Sequence, residues 1–108
     1  NCKIYNKLVR DNIPEIIEKN GEAPVIKSLS DLDYKRELYN KLEEECAEVK
    51  RSKNKTELTE EIADVFEVID SIINLEGLSI EEIKAKQKNK KMSRGGFSKR
   101  IFLEKTLK

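Results

Sequence analysis

The sequence predicts an all-α fold, a helical bundle centred on an antiparallel helical hairpin. Helix-forming residues dominate the 108 positions, whereas glycine (4) and proline (2) are scarce. Apolar residues in the middle of the chain recur with the period of about 3.6 that marks one face of a helix. The length suits one domain, so residues 1–108 are interpreted as a single domain.

The N-terminal quarter contains a short helix between two segments that are not helical in pattern. Residues 3–9 are half apolar and can be extended, and a short β pairing with residues 24–26 is expected. An N-capping residue, Asp11 or Asn12, precedes the proline that opens a short helix over residues 14–20.

The second predicted helix runs over about residues 31–52 and begins at a capping-box-like Ser30. Its apolar residues fall in a stripe of roughly 80° on a helical wheel. They are Leu38, Leu42, Cys46 and Val49. As a small apolar side chain, Cys46 is expected to be buried with the others. Glu45 falls at the edge of this stripe, and Glu48 lies further out.

The third predicted helix, over about residues 56–76, has the widest apolar face. The apolar residues cover an arc of roughly 180°. They are Leu58, Ile62, Val65, Phe66, Val68, Ile69, Ile72, Ile73 and Leu75. Glu61 falls inside this arc and Asp64 at its edge, and a carboxylate in a buried face must be paired, protonated or bound to metal. One partner helix cannot cover so wide an arc, so a homodimer or larger homo-oligomer is expected.

A fourth helix is predicted over about residues 79–92, because Ser79 and Glu82 form a capping box. Lysines follow at i, i+4 and i+7 along one side of this helix. The run from Ser93 to Phe97 contains two glycines and is expected to end the helix, with an extended tail after it.

The net charge of +1 conceals a strong asymmetry. Residues 1–83 carry 12 Lys/Arg and 20 Asp/Glu, whereas residues 84–108 carry 10 Lys/Arg and a single glutamate. An acidic body with a basic C-terminal segment can bind a cation-bridged anion, such as a nucleotide with magnesium. Because no apolar run suits a membrane helix and no signal peptide is visible, a cytoplasmic location without membrane contact is expected.

Two acidic pairs, Glu45/Glu48 and Glu61/Asp64, lie on either side of the linker between the central helices. Each pair is spaced i, i+3, so both of its carboxylates lie on one side of a helix. A hairpin that turns at residues 54–55 would bring the two pairs face to face. Four carboxylates this close repel one another unless cations lie between them. With no histidine in the chain, the oxygen donors favour a hard ion, Mg²⁺ or Mn²⁺, which in turn favours phosphate chemistry.

These carboxylates lie in a sequence that matches a family signature. Residues 42–48 (LEEECAE) with residues 61–64 (EIAD) resemble the EExxE…ExxD signature of the all-α nucleoside triphosphate pyrophosphohydrolases. This is the MazG and phosphoribosyl-ATP pyrophosphohydrolase superfamily. Residues 5–17 (YNKLVRDNIPEII) and 94–97 (RGGF) resemble its small single-domain "house-cleaning" branch, although that branch suggests a basic residue where this chain has Asn12.

The resemblance implies hydrolysis of a nucleoside triphosphate, a non-canonical one included, between its α- and β-phosphates. Nucleoside monophosphate and pyrophosphate would be released. It also implies a helical-bundle protomer in a dimer or larger assembly, and Mg²⁺ bound by four residues. These metal ligands are Glu45, Glu48, Glu61 and Asp64.

The chemistry of such a site suggests roles for further residues. A water with its pKa lowered by the metal would attack a phosphorus atom. Glu44 and Glu45 are the candidate catalytic residues, because Glu44 adjoins the ligands and can orient or deprotonate that water. The candidate phosphate-binding residues are all basic. They are Lys7, Arg10, Lys88, Lys91 and Arg94.

Two alternatives to this function stay open. The chain can instead be a non-catalytic helical module with a structural cation site, whose basic C-terminal tail binds nucleic acid or a protein partner. The tail has few aromatic residues for base stacking and the acidic body would repel a polyanion, so nucleic acid is the less favoured partner. The second alternative is an enzyme that hydrolyses phosphoribosyl-ATP.

Overall fold

The computed structural model describes residues 1–108 and contains four α-helices and no β-strand. They are α1 (Ile13–Lys19), α2 (Asp31–Arg51), α3 (Lys55–Leu75) and α4 (Ile80–Arg94). The predicted all-α class is therefore confirmed. The β pairing expected near the N-terminus is not, because residues 3–9 and 24–26 form no strand. None of the helices combines the length and the apolar character that a bilayer crossing needs.

Side-chain caps set the starts of the three longer helices. Ser30 accepts a hydrogen bond from the Asp33 amide at 3.2 Å at the start of α2. Asn54 accepts one from the Glu57 amide at 2.9 Å before α3, and Ser79 accepts one from the Glu82 amide at 3.2 Å before α4. Each cap satisfies an amide that the first helical turn leaves without a partner.

The end of α4 lies two residues beyond its predicted end, at Arg94 instead of Met92. Ser93 and Arg94 keep helical geometry, and the chain leaves the helix at Gly95, where φ is 83°. A left-handed φ of this kind suits glycine, because glycine has no Cβ to clash with the backbone. The helix therefore ends at the first residue that can turn out of it without strain.

The chain divides into two compact units, Asn1–Glu76 and Gly77–Lys108. In the first unit, α2 and α3 pack against each other. The apolar core there is small and consists of Leu38, Val68 and Ile73. In the second unit, every residue from Ile80 to Lys108 is exposed. The single-domain prediction stays a prediction.

A hydrogen bond between side chains joins the first half of α2 to the end of α3. The Tyr39 hydroxyl donates to the Glu76 carboxylate at 3.0 Å, and Lys35 lies 3.3 Å from the same carboxylate. These contacts from Tyr39 and Lys35 hold the pKa of Glu76 below its ordinary value. They give the packed pair of helices a polar anchor beside its small apolar core.

The buried face of α2 is rotated relative to the predicted stripe. Cys46 is exposed, which corrects the prediction that it is buried, and Glu45 is buried instead. Measured from Leu42 at 100° per residue, the buried Leu38 and Glu45 lie at about −40° and −60°, whereas Cys46 lies at about +40°. The buried face of α2 is therefore turned towards the side that carries Glu45 and away from the side that carries Cys46.

Because so few apolar side chains are buried, the loss of one should lower the stability of the fold substantially. We expect Leu38→Ala to lower the free energy of unfolding by about 2–5 kcal/mol, because it leaves a cavity at the most buried position. Urea denaturation followed by circular dichroism measures this change. Leu32→Ala, at an exposed position on the same helix, is the matched control and should change stability by less than about 0.5 kcal/mol. Equal effects would show that Leu38 is not a core residue.

Candidate metal centre

Three of the four predicted metal ligands lie together in the first unit. Glu45, in the second half of α2, meets Glu61 and Asp64, which lie one turn apart on α3. One carboxylate oxygen from each residue lies within 4.8 Å of the other two. The contact between α2 and α3 therefore brings together side chains from two separate helices, and we call them the carboxylate triad.

Burial within the triad differs from what the helical wheel predicts. The wheel placed Glu61 inside the apolar face and Glu45 at an edge, but Glu45 is the buried residue, with 8% of its surface exposed. Glu61 and Asp64 are both half-buried. The rotated buried face of α2, which leaves Cys46 exposed, also brings Glu45 into the contact with α3.

The fourth predicted ligand, Glu48, lies outside the triad. Its carboxylate pairs with Arg51, one turn further along α2. Its charge nevertheless acts on Glu61, where it is one of several influences that favour the protonated form. The role of Glu48 as a ligand stays a prediction.

Glu61 has an electrostatic environment that opposes its ionisation. Partial burial raises the pKa of the Glu61 carboxyl, and the negative charges of Glu45 and Asp64 raise it further. A carboxylate held among other carboxylates gains a great deal from a nearby cation.

Two positively charged side chains contact the triad. Lys41, on α2 and largely buried, lies 3.5 Å from Glu45 and 3.3 Å from Glu44. Arg10, in the segment before α1, pairs with Asp64 at 2.7 Å. Lys41 is a residue that the sequence reasoning missed. Its position four residues before Glu45, a spacing at which side chains meet on a helix, was the available signal.

Glu44, the candidate base, lies beside the triad between two lysines. Lys7 and Lys41 each lie 3.3 Å from its carboxylate. Partial burial of Glu44 opposes ionisation, but the two lysines outweigh it and lower the pKa of the carboxyl. Glu44 is therefore ionised at neutral pH, while its lowered pKa makes it a weaker base than an ordinary glutamate. Its catalytic role, and that of Glu45, stay predictions.

The remaining candidates for phosphate binding lie in the second unit. Lys88, Lys91 and Arg94 are on α4 and are exposed. By contrast, Lys7 and Arg10 reach carboxylates at or beside the triad. Phosphate contacts of all five basic residues stay predictions.

The triad is chemically suited to a hard divalent cation. All its donors are carboxylate oxygens, which Mg²⁺ and Mn²⁺ prefer. Ligands on opposite sides of Mg²⁺ are about 4.2 Å apart, so oxygens within 4.8 Å need little movement to share one ion. A buried carboxylate such as Glu45 also requires compensation by positive charge.

Comparisons with known proteins add little about function. An uncharacterized protein of Mycolicibacterium smegmatis (strain ATCC 700084 / mc(2)155) is 52% identical to this chain over 44 residues. The matched region spans 41% of this chain and 45% of the relative, less than half of its length. No family model matches the chain, and no solved structure matches it.

The raised pKa of Glu61 leads to a prediction about stability. A carboxyl whose pKa is higher in the folded protein binds its proton more tightly there, so its ionisation at pH 7 costs folding stability. We therefore expect Glu61→Gln to raise the melting temperature of the metal-free protein at pH 7 by a few degrees. This gain should vanish below the ordinary pKa of glutamate, where both folded and unfolded chains carry the proton.

Differential scanning fluorimetry with an environment-sensitive dye, at pH 3.5 and pH 7, measures this effect. Adding Mg²⁺ should raise the melting temperature of the wild type more than that of Glu61→Gln, because the ion relieves the same repulsion. Glu67→Gln, at an exposed position on α3, is the control for loss of one negative charge. If Glu61→Gln and Glu67→Gln behave alike, the repulsion within the triad is not significant.

Proposed function

We propose that this protein is a magnesium-dependent nucleoside triphosphate pyrophosphohydrolase. The observation that carries the proposal is the meeting of Glu45, Glu61 and Asp64 from two helices at one point. Their sequence context resembles the EExxE…ExxD signature of the MazG-like superfamily, and the oxygen-only donors suit Mg²⁺, with Mn²⁺ as a substitute. Magnesium bound by few carboxylates is usually completed by water and substrate phosphates, which supports a nucleotide as substrate.

In this proposal, different side chains of the first unit bind the metal, bind the phosphates and orient the attacking water. Glu45, Glu61 and Asp64, with Glu48 as a fourth ligand, would hold the ion. When bound, Mg²⁺ supplies charge neutralisation for the phosphates and lowers the pKa of a bound water. Arg10 and Lys7, which lie beside these carboxylates, would bind the polyphosphate. Glu44 would orient the attacking water by accepting a hydrogen bond from it.

Two structural details complete this proposal. The first is that α2 and α3 form an antiparallel hairpin, which is supported by contacts in two places. Tyr39, in the first half of α2, contacts Glu76 just after α3, whereas Glu45, further along α2, lies near Glu61, close to the start of α3. This opposite order of contacts is the order that an antiparallel pair produces.

The second detail is a homodimer or larger homo-oligomer. α3 carries an exposed apolar strip at the spacing i, i+4 and i+7, formed by Ile62, Phe66 and Ile69. Phe66 is 64% exposed there, and only three apolar residues of the chain are buried. A second copy that covered this strip would supply the apolar burial that one chain lacks. The cytoplasmic location stays a prediction beside these proposals.

A cation-binding module without activity is the second candidate function. It is favoured by the charge and exposure of the second unit, where residues 77–108 carry 10 Lys/Arg and 3 Asp/Glu on an exposed surface. Such a module would bind RNA with an affinity that falls steeply with salt, and it would release no pyrophosphate. Hydrolysis of phosphoribosyl-ATP, the other enzymatic alternative, belongs in the same substrate panel.

The activity itself is tested by pyrophosphate release. We expect release from at least one member of a panel of ordinary, deoxy- and damaged nucleoside triphosphates and phosphoribosyl-ATP, in the presence of Mg²⁺ and not with EDTA. Glu61→Gln and Glu45→Gln should lower kcat/KM by about 100-fold or more, because each removes a charge that binds the ion. Glu67→Gln should retain the activity of the wild type. Turnover that survives Glu61→Gln would contradict the proposed site.

The assembly is tested by light scattering coupled to size exclusion. The wild type should elute with the mass of a dimer or larger assembly, and Phe66→Ser should weaken association by about tenfold or more, because it removes an aromatic contact. Val25→Ser is the control, since it removes another exposed apolar side chain outside the strip. A wild type that is monomeric at high concentration would contradict the oligomer.

A further inference from the structure

The segment before α1 contacts both of the long helices near the carboxylate triad. Residues 3–12, which we call the N-terminal strap, form no helix or strand apart from a turn at the end. Arg10 of the strap pairs with Asp64 on α3 at 2.7 Å, and Lys7 pairs with Glu44 on α2 at 3.3 Å. The strap thus places one positively charged side chain on a residue of the triad and a second one beside the triad.

These two ion pairs are the polar side-chain contacts that hold the strap on the two helices. No other side-chain hydrogen bond or ion pair joins it to α2 or α3. Most of its apolar side chains contribute little burial, since Ile4, Tyr5 and Val9 are exposed. The side chains of both ion pairs are 33–55% exposed. Ion pairs that are open to solvent in this way contribute roughly 0–1 kcal/mol each, so this attachment is weak enough to be exchanged.

The ion pair between Arg10 and Asp64 uses the same carboxylate that a metal at the triad would use. The guanidinium donates to an oxygen of Asp64, and the triad includes an oxygen of that residue among its three donors. A divalent cation on Asp64 would withdraw the negative charge that attracts Arg10 and would repel the guanidinium. Arg10 and the ion therefore compete for one residue.

Lys7 is in a different position, because its partner Glu44 does not belong to the triad. Glu44 keeps its negative charge when the triad is filled, so Lys7 stays paired with it and can direct its other N–H donors to the polyphosphate. The strap would lose one anchor and keep the other. A segment tethered in this way stays beside the site while its arginine becomes free to bind another anion.

We propose that the strap is a metal-responsive element in which Arg10 neutralises Asp64 until a divalent cation replaces it. Arg10 then transfers to the phosphates of the substrate while Lys7 keeps the strap in place. This inference rests on the proposed function, because it takes the triad as the metal site. Arg10 then exchanges partners during the reaction cycle. Phosphate binding by Arg10 therefore depends on prior binding of the metal.

Motion of the strap can be followed without any activity measurement. A cysteine introduced at the exposed Asp11, next to Arg10, can carry a nitroxide spin label in a background in which Cys2 and Cys46 are replaced by serine. We expect Mg²⁺ to sharpen the electron paramagnetic resonance spectrum of this label as Arg10 leaves Asp64. Arg10→Ala should give the sharper spectrum before Mg²⁺ is added, and Lys7→Ala should make the effect of Mg²⁺ larger.

Isothermal titration with Mg²⁺ provides the second measurement. Removing the competitor should make Arg10→Ala bind Mg²⁺ about two- to fivefold more tightly than the wild type, the factor that corresponds to one exposed ion pair. Arg36→Ala is the matched control, because Arg36 is similarly exposed and pairs with Asp33 and Glu37, away from the triad. It should leave the affinity unchanged, and circular dichroism confirms that each variant is folded.

The outcomes separate this inference from the function on which it rests. If the wild type binds Mg²⁺ but the label spectrum does not change and Arg10→Ala has wild-type affinity, the exchange is wrong and the metal site stands. An equal gain in Arg36→Ala and Arg10→Ala would also overturn the exchange, since it would show a general effect of charge. If the wild type binds no Mg²⁺, the proposed function fails, and the exchange fails with it.

Discussion

The repulsion among carboxylates at the contact between α2 and α3 is the constraint that the first unit is built around. Glu45 is buried there, and Glu61 and Asp64 reach the same point from the opposite helix. Carboxylates at this separation oppose the packing of the helices that carry them. Lys41 and Arg10 offset part of this cost by contacting Glu45 and Asp64. Burial, and after it the negative charges of Glu45 and Asp64, still raise the pKa of Glu61.

A small apolar core makes this cost significant. Leu38, Val68 and Ile73 are the buried apolar residues, and the Tyr39–Glu76 hydrogen bond adds a polar anchor between the helices. A core this small contributes little free energy of folding, so packing like charges together removes a large share of the stability. A site that costs stability in the absence of a ligand is characteristic of functional residues rather than of residues selected for folding. In the proposed cation site, the bound ion would offset this cost.

Local chemistry made the helices predictable from the sequence, whereas the side-chain contacts of the site were only partly predictable. The capping residues Ser30 and Ser79 mark where α2 and α4 begin, and each accepts a hydrogen bond from the amide three residues further on. The helical wheel assigned the buried face of α2 from apolar residues alone, so it buried Cys46 and left Glu45 at an edge. A wheel cannot show that Lys41 makes a buried glutamate tolerable. The contact of Arg10 with Asp64 spans 54 residues, and no local pattern reports it.

The three positive charges beside the triad differ in how readily a metal could replace them. Lys41 is largely buried and lies on the same helix as Glu45, so the fold itself holds its ammonium in place. Arg10 is attached through an exposed ion pair on a segment with little apolar burial, and Lys7 contacts a carboxylate outside the triad. Lys41 is thus a fixed charge, Arg10 is the charge that is exchanged, and Lys7 tethers the strap. In the proposed exchange a cation replaces Arg10 at Asp64, while Lys41 continues to compensate the buried Glu45.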